Sequence, residues 1–193
     1  MRLFRPALLA LLFASSCSAL AADAFNAQVL MDLLARNKSA HADFVDRKYL
    51  ASLDRPLESS GELLYSAPSR LEKRTLKPKA ETLIVDGNTL AIERNGTKRT
   101  ISLASYPEIS PFVESIRATL AGDLPTLQRD YRVTVDGTQD KWRLVLLPSD
   151  QRIAAAISRV TLTGSGSQVD SFEVLQADGS RSVSTITAHR DAP

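Results

Sequence analysis

Two histidines, one cysteine and scattered carboxylates are the residues from which acid–base, thiol or metal chemistry would most readily be built. His41 stands beside the end of an expected helix and His189 in the C-terminal tail. A catalytic base needs an orienting partner and a pocket, and a metal centre needs further ligands at short spacing. Neither histidine has a carboxylate cluster or second ligand beside it in sequence. Gly164-Ser165-Gly166 lacks the G-x-S-x-G frame of a nucleophile elbow and its strand-to-helix context, so it is a hairpin loop. Asn95-Gly96-Thr97 has the glycosylation spacing, but nothing in the sequence points to a compartment that uses it. No enzyme, cofactor or metal is expected.

The cysteine, Cys17, belongs to the N-terminal segment. Arg2 and Arg5 precede an apolar run from Ala7 to Ala14, and small residues lead to Ala19-Leu20-Ala21. This is the pattern of a secretory signal peptide cleaved after Ala21, and the run is well short of the roughly 20 residues that cross a bilayer. Lipidation of Cys17 is the rival, but the position three before it lacks the usual leucine. Residues 1–21 carry two arginines and no acid, so the remainder has 22 basic and 22 acidic side chains. A neutral chain loses the main argument for a nucleic-acid partner or a polybasic membrane surface. The remaining 172 residues form one expected domain, 22–193, with no cysteine, so its core must stabilise it without disulfides.

The elements around these residues are mostly strands. From Ser59 to Gly96, runs at Glu62–Ser66, Arg70–Leu76, Glu81–Val85 and Thr89–Arg94 alternate with turn signals at Ala67-Pro68, Lys77-Pro78-Lys79, Asp86-Gly87 and Asn95-Gly96. That predicts an antiparallel meander. Before it, Phe25, Val29, Leu30, Leu33 and Leu34 form a helical stripe, and residues 42–50 alternate as a strand. After it, Lys98–Leu103 reads as a strand, and Ser110-Pro111 opens a helix whose apolar face is Phe112, Val113, Ile116 and Leu120, closed by Gly122. A short helix over Leu124–Arg129 follows. Period two returns at Tyr131, Val133 and Val135, then an Asp136-Gly137 turn leads to a strand with Trp142, Leu144 and Leu146 on one face. Asp150 caps a short helix carrying Ile153 and Ile157, and Arg159–Thr163, Gln168–Gln176 and Arg181–Ala188 close the chain, with turns at Gly164-Ser165-Gly166 and Asp178-Gly179.

The leading helix, Asp43-Phe44, Ser60-Gly61-Glu62-Leu63, Ala67-Pro68-Ser69-Arg70-Leu71, Lys77-Pro78, Asp86-Gly87, Leu120-Ala121-Gly122-Asp123-Leu124, Trp142-Arg143-Leu144 and Leu162-Thr163-Gly164 follow one another in an order that resembles the LolA-like periplasmic lipoprotein carriers, in a branch distinct from the main carrier. The resemblance implies an α+β fold: an incomplete antiparallel β-barrel, strongly curved, with helices covering the concave face and acyl chains held between. It implies a hydrophobic cavity lined by Val29, Leu33, Phe44, Leu63, Tyr65, Leu71, Phe112, Ile116, Leu120 and Trp142. The expected function is a monomeric periplasmic carrier or binder of a lipid, glycolipid, lipoprotein or lipid-linked intermediate, between an inner-membrane donor and an outer-membrane acceptor. The alternative is a sensor or adaptor that uses the same half-barrel to recognise a lipidated or peptide signal. Main-branch carriers follow the proline turn with an aromatic-Arg-Trp run whose arginine ties the helical lid to the sheet. Here those positions are Leu71, Glu72 and Lys73, which implies a different latch and a cargo other than triacylated lipoprotein.

Overall fold

The hairpin signals build an 11-stranded antiparallel sheet whose order is β6-β5-β4-β3-β2-β1-β11-β10-β9-β8-β7. The computed structural model describes residues 25–106 and 110–189. The signal segment, with Cys17 and the Ala21 cleavage point, lies outside the described residues, as does Pro107. The strands are β1 (Ser39–Tyr49), β2 (Leu57–Ser66), β3 (Arg70–Lys77), β4 (Glu81–Asp86), β5 (Thr89–Arg94), β6 (Thr97–Ser102), β7 (Tyr131–Thr138), β8 (Lys141–Pro148), β9 (Ile157–Ser165), β10 (Gln168–Gln176) and β11 (Arg181–Ala188). The helices are α1 (Ala27–Leu34), α2 (Ser110–Ala121), α3 (Leu124–Asp130) and the single turn α4 (Gln151–Ala154). Two meanders, β1 to β6 and β7 to β11, are joined where β1 pairs β11, with Phe44 opposite Ile186 and Asp46 opposite Ser184. The sheet is strongly curved but not closed, so β6 and β7 remain its edges.

That topology decides where the helices go. The chain leaves β6 at one edge and re-enters as β7 at the other, so the connection carrying α2 and α3 crosses the concave face. The core lies under these helices on the β7–β10 side, where Leu30, Met31 and Leu34 of α1, Ala118 of α2 and Leu124 and Leu127 of α3 meet Trp142, Leu144, Leu146, Val160, Leu162 and Val174. Met31 is fully buried and belongs to the stripe that the leading-helix pattern defined without it.

Several boundaries differ from the sequence expectation. The β7–β8 turn falls at Gln139-Asp140, and Gly137 stays within β7 opposite Trp142 with φ +98°. Gly164 likewise lies inside β9 and pairs with Trp142, and the β9–β10 turn is Gly166-Ser167. A Cβ on Gly164 would stand 2.3 Å from the Trp142 ring, so the absent side chain is what lets the indole lie across the strand. Trp142 then donates from Nε1 to Gly166 O at 2.9 Å. Ile157 opens β9 rather than ending α4, because Ala155 already caps that single turn. Strands β1 and β2 both start before their alternating cores, since residues with no apolar signal, such as Glu58 and Ser59, are held by backbone pairing with Arg47 and Asp46.

Candidate functional site

Helix α2 determines the site. The sequence makes Phe112, Val113, Ile116 and Leu120 its apolar face, and that face is not the buried one. Ser115, Ala118 and Thr119 are buried, and the four bulky residues are half-buried. Ser115 and Thr119 tolerate burial because their hydroxyls donate back to Phe112 O and Ser115 O, each at 2.7 Å. At about 100° per residue, the bulky band lies between this small-residue face and Arg117. Arg117 Nη1 donates to Gly87 O at 2.7 Å, in the β4–β5 turn, and Phe112 stands 6.0 Å from the Phe172 ring of β10. One helix thus reaches both β10 and the β4–β5 turn, five places apart in the sheet, and bridges the open side of the curve.

The floor beneath the bridge follows from register. On the helix-facing side, Tyr65 is opposite Leu71, Leu71 opposite Val85 and Val85 opposite Leu90, while Leu63 is opposite Lys73, Lys73 opposite Leu83 and Leu83 opposite Ile92. Leu63, Leu71, Leu83, Leu90 and Ile92 are only half-buried. The β2–β5 half of the concave face and the bulky band of α2 thus both present half-covered apolar side chains, unlike the β7–β10 half, where Leu144 and Val160 are fully covered.

Both ends of α2 are held. Gly122 has φ +73°, Asp123 N donates to Ala118 O at 2.8 Å and Gly122 N donates to Thr119 O at 3.1 Å, which is the paired C-terminal cap. A Cβ on Gly122 would meet Met31 O at 2.3 Å, so this glycine also permits the close approach of α1. Asp123 then caps α3, accepting from Thr126 N and Thr126 Oγ1, and these bonds hold its carboxyl below the usual range. At the start, Ser110 is the first helical residue and donates its N–H to Tyr106 O at 3.0 Å. Asn88 holds the preceding segment, a 3₁₀ turn at Leu103–Ser105, by accepting from Ala104 N at 3.0 Å and donating to Ser102 Oγ at 2.8 Å. A pocket of about 330 Å³ lined by Gly87, Asn88, Leu103, Ser110, Glu114 and Arg117 lies at this corner. Neither Asn88 nor Arg117 carries a sequence signal that marks it as a site residue.

Of the residues named from the resemblance, Leu63, Leu71, Ile116 and Leu120 are half-buried, and Phe44 and Tyr65 are buried on the helix-facing side of the sheet. Burial pushes the Tyr65 hydroxyl above its ordinary pKa. Phe112 packs against the core beside Phe172, Leu33 is buried, Val29 is half-buried on α1, and Trp142 is 1% exposed within the core. At the departure from the main carriers, Glu72 faces the outer side of the sheet between Arg70 and Arg74, whose side chains donate to it at 3.1 and 2.6 Å. Lys73 faces inward. The tie between helix and sheet runs from Arg117 on the helix to a carbonyl on the sheet.

The profile described as outer membrane lipoprotein carrier protein LolA-like matches residues 19–192, nearly the whole chain. The chain belongs to the LolA-like family. A search of curated proteins finds no significant match. Among solved structures, the LolA-like chain resembles a LolA superfamily protein from Nitrosomonas europaea at 13% identity and TM-score 0.46, covering 88% of this chain and 96% of that one. The lipoprotein LppX from Mycobacterium tuberculosis aligns at 8% identity and TM-score 0.44, over 86% and 96%. The MucA/MucB complex of Pseudomonas aeruginosa aligns at 14% identity and TM-score 0.47, over 86% of this chain and 58% of that one. Among the described residues of this LolA-like chain, no helix is long and apolar enough to cross a membrane. The two histidines lie on the outer face, rings 4.1 Å apart across β1 and the end of β11, and His189 Nε2 is 3.0 Å from Asp43 Oδ2.

Proposed function

We propose that this protein is an exported, periplasmic carrier of an acyl-chain-bearing ligand, a lipid, glycolipid or lipid-linked intermediate in transit toward the outer membrane. The observation that carries the reading is the orientation of α2: it buries serine, alanine and threonine and leaves phenylalanine, valine, isoleucine and leucine half-covered above half-covered leucines. Stability alone favours the reverse, because each methylene removed from water is worth about 0.8 kcal/mol. An acyl chain entering the groove would recover that free energy, and the same magnitude explains why such a chain needs shielding to cross an aqueous compartment. Family membership supports a carrier or binder, and the signal-peptide pattern supports export with cleavage after Ala21.

The test is displacement of a fluorescent single-chain fatty acid from the purified protein and from an Ile116→Asp variant. Wild type is expected to bind, and the variant to lose most of its affinity while keeping a sheet-rich far-ultraviolet spectrum. Equal binding by both would count against a groove under α2. An adaptor would capture a protein partner with no acyl ligand bound.

A further inference from the structure

The groove floor holds a polar cluster that neither the fold nor the family requires. On the helix-facing side, Lys73 of β3 is ion-paired with Asp46 of β1, Ser184 of β11 donates to the other Asp46 oxygen, and the Lys73 ammonium stands 4.4 Å from the centre of the Phe44 ring. Asp46 is 18% and Lys73 34% exposed, so the pair is partly desolvated among Phe44, Leu63 and Leu83. A desolvated pair contributes no more to stability than apolar side chains of the same volume, so stability does not account for it. Tyr65 lies on the same face but four residues along β2 from Gly61, the residue opposite Phe44, so its buried hydroxyl stands away from this cluster.

We infer that Lys73 anchors the head of an acidic single-chain lipid, a carboxylate or phosphate monoester, whose acyl chain runs along Leu63, Leu71 and Leu83. This rests on the acyl-carrier reading above. Both Asp46 oxygens are engaged, by Lys73 and Ser184, whereas the ammonium offers three N–H donors and spends one on Asp46. Lys48, two residues along β1 on the same face, is offset by Asp178, whose carboxyl it helps to hold below its ordinary range. The spare donors of a charged ammonium favour an anionic head over a neutral or cationic one.

The experiment compares palmitic acid, hexadecanol and hexadecylamine in competition against the fluorescent probe, with wild type, Tyr65→Phe, Lys73→Met and the double variant Lys73→Met/Asp46→Asn, which leaves no unpaired carboxylate. Wild type is expected to prefer the acid to the alcohol by about tenfold or more, since a hydrogen bond to a charged group is worth at least that. Lys73→Met and the double variant should lose the preference while binding hexadecanol unchanged, and Tyr65→Phe, away from the ammonium, should keep it. Equal binding of acid and alcohol by wild type, or an undiminished preference in the double variant, overturns the head-group assignment and leaves the groove standing. Binding of none of the three overturns the acyl-carrier reading itself.

Discussion

Trp142 and Gly164 act as one unit: the indole fills the space that a side chain at residue 164 would take, and its N–H reaches Gly166 O. Trp142→Ala should therefore cost about 3–5 kcal/mol in urea denaturation followed by circular dichroism, as expected for deleting a fully buried aromatic side chain. A cost under 1 kcal/mol would contradict its place in the core. Asp150 gives a second residue-scale outcome. Its hydrogen bonds from the Arg152 side chain and backbone N–H lower its pKa from 3.8 to about 2. A depressed folded-state value means the cap of α4 is intact above pH 4 and is lost as pH falls toward 2. The carboxyl chemical shift should titrate near pH 2, and a midpoint near 3.8 would show that the cap is not formed. Asp150 was legible as a cap from its position alone, whereas the glycines were misplaced. Gly137 and Gly164 both look like turn residues in sequence, and only the opposing Trp142 reveals that they lie within strands.

At the scale of elements, α2 combines what was legible with what was not. Its start, its end at Gly122 and its apolar residues could all be read from periodicity and caps. Which face turns to the core could not, because Ser115 and Thr119 satisfy their hydroxyls inside the helix and so behave as small, buryable side chains. The tie between Arg117 and Gly87 O was equally hidden, since an arginine on a helix surface carries no signal for a carbonyl 30 residues away. Arg117→Ala should leave the sheet intact, raise amide hydrogen exchange in α2 several-fold and speed ligand release. Unchanged exchange and release would remove Arg117 as the tie between helix and sheet.

For the whole molecule, each meander could be read from its turns, but the pairing of β1 with β11 joins residues nearly at opposite ends of the described chain and has no local signature. The resemblance to a known family implied an incomplete barrel and a cavity, but not which strands join the two meanders. The physical consequence of that pairing is that β6 and β7 become the two edges, which sends α2 and α3 across the concave face. The exported form is expected to begin at Ala22, and its intact mass checks this; a diacylated Cys17 at the new terminus would make the protein a membrane-held acceptor instead. The central claim is that acyl chains lie under α2. A palmitic acid carrying a photoreactive diazirine near its methyl end, bound at stoichiometric concentration and irradiated, should label groove residues such as Ile116, Leu120, Leu71 and Leu83, identified by peptide mass spectrometry. Labelling spread over the outer face, at Val45, Leu64 or Ile84, with none in α2, would contradict it.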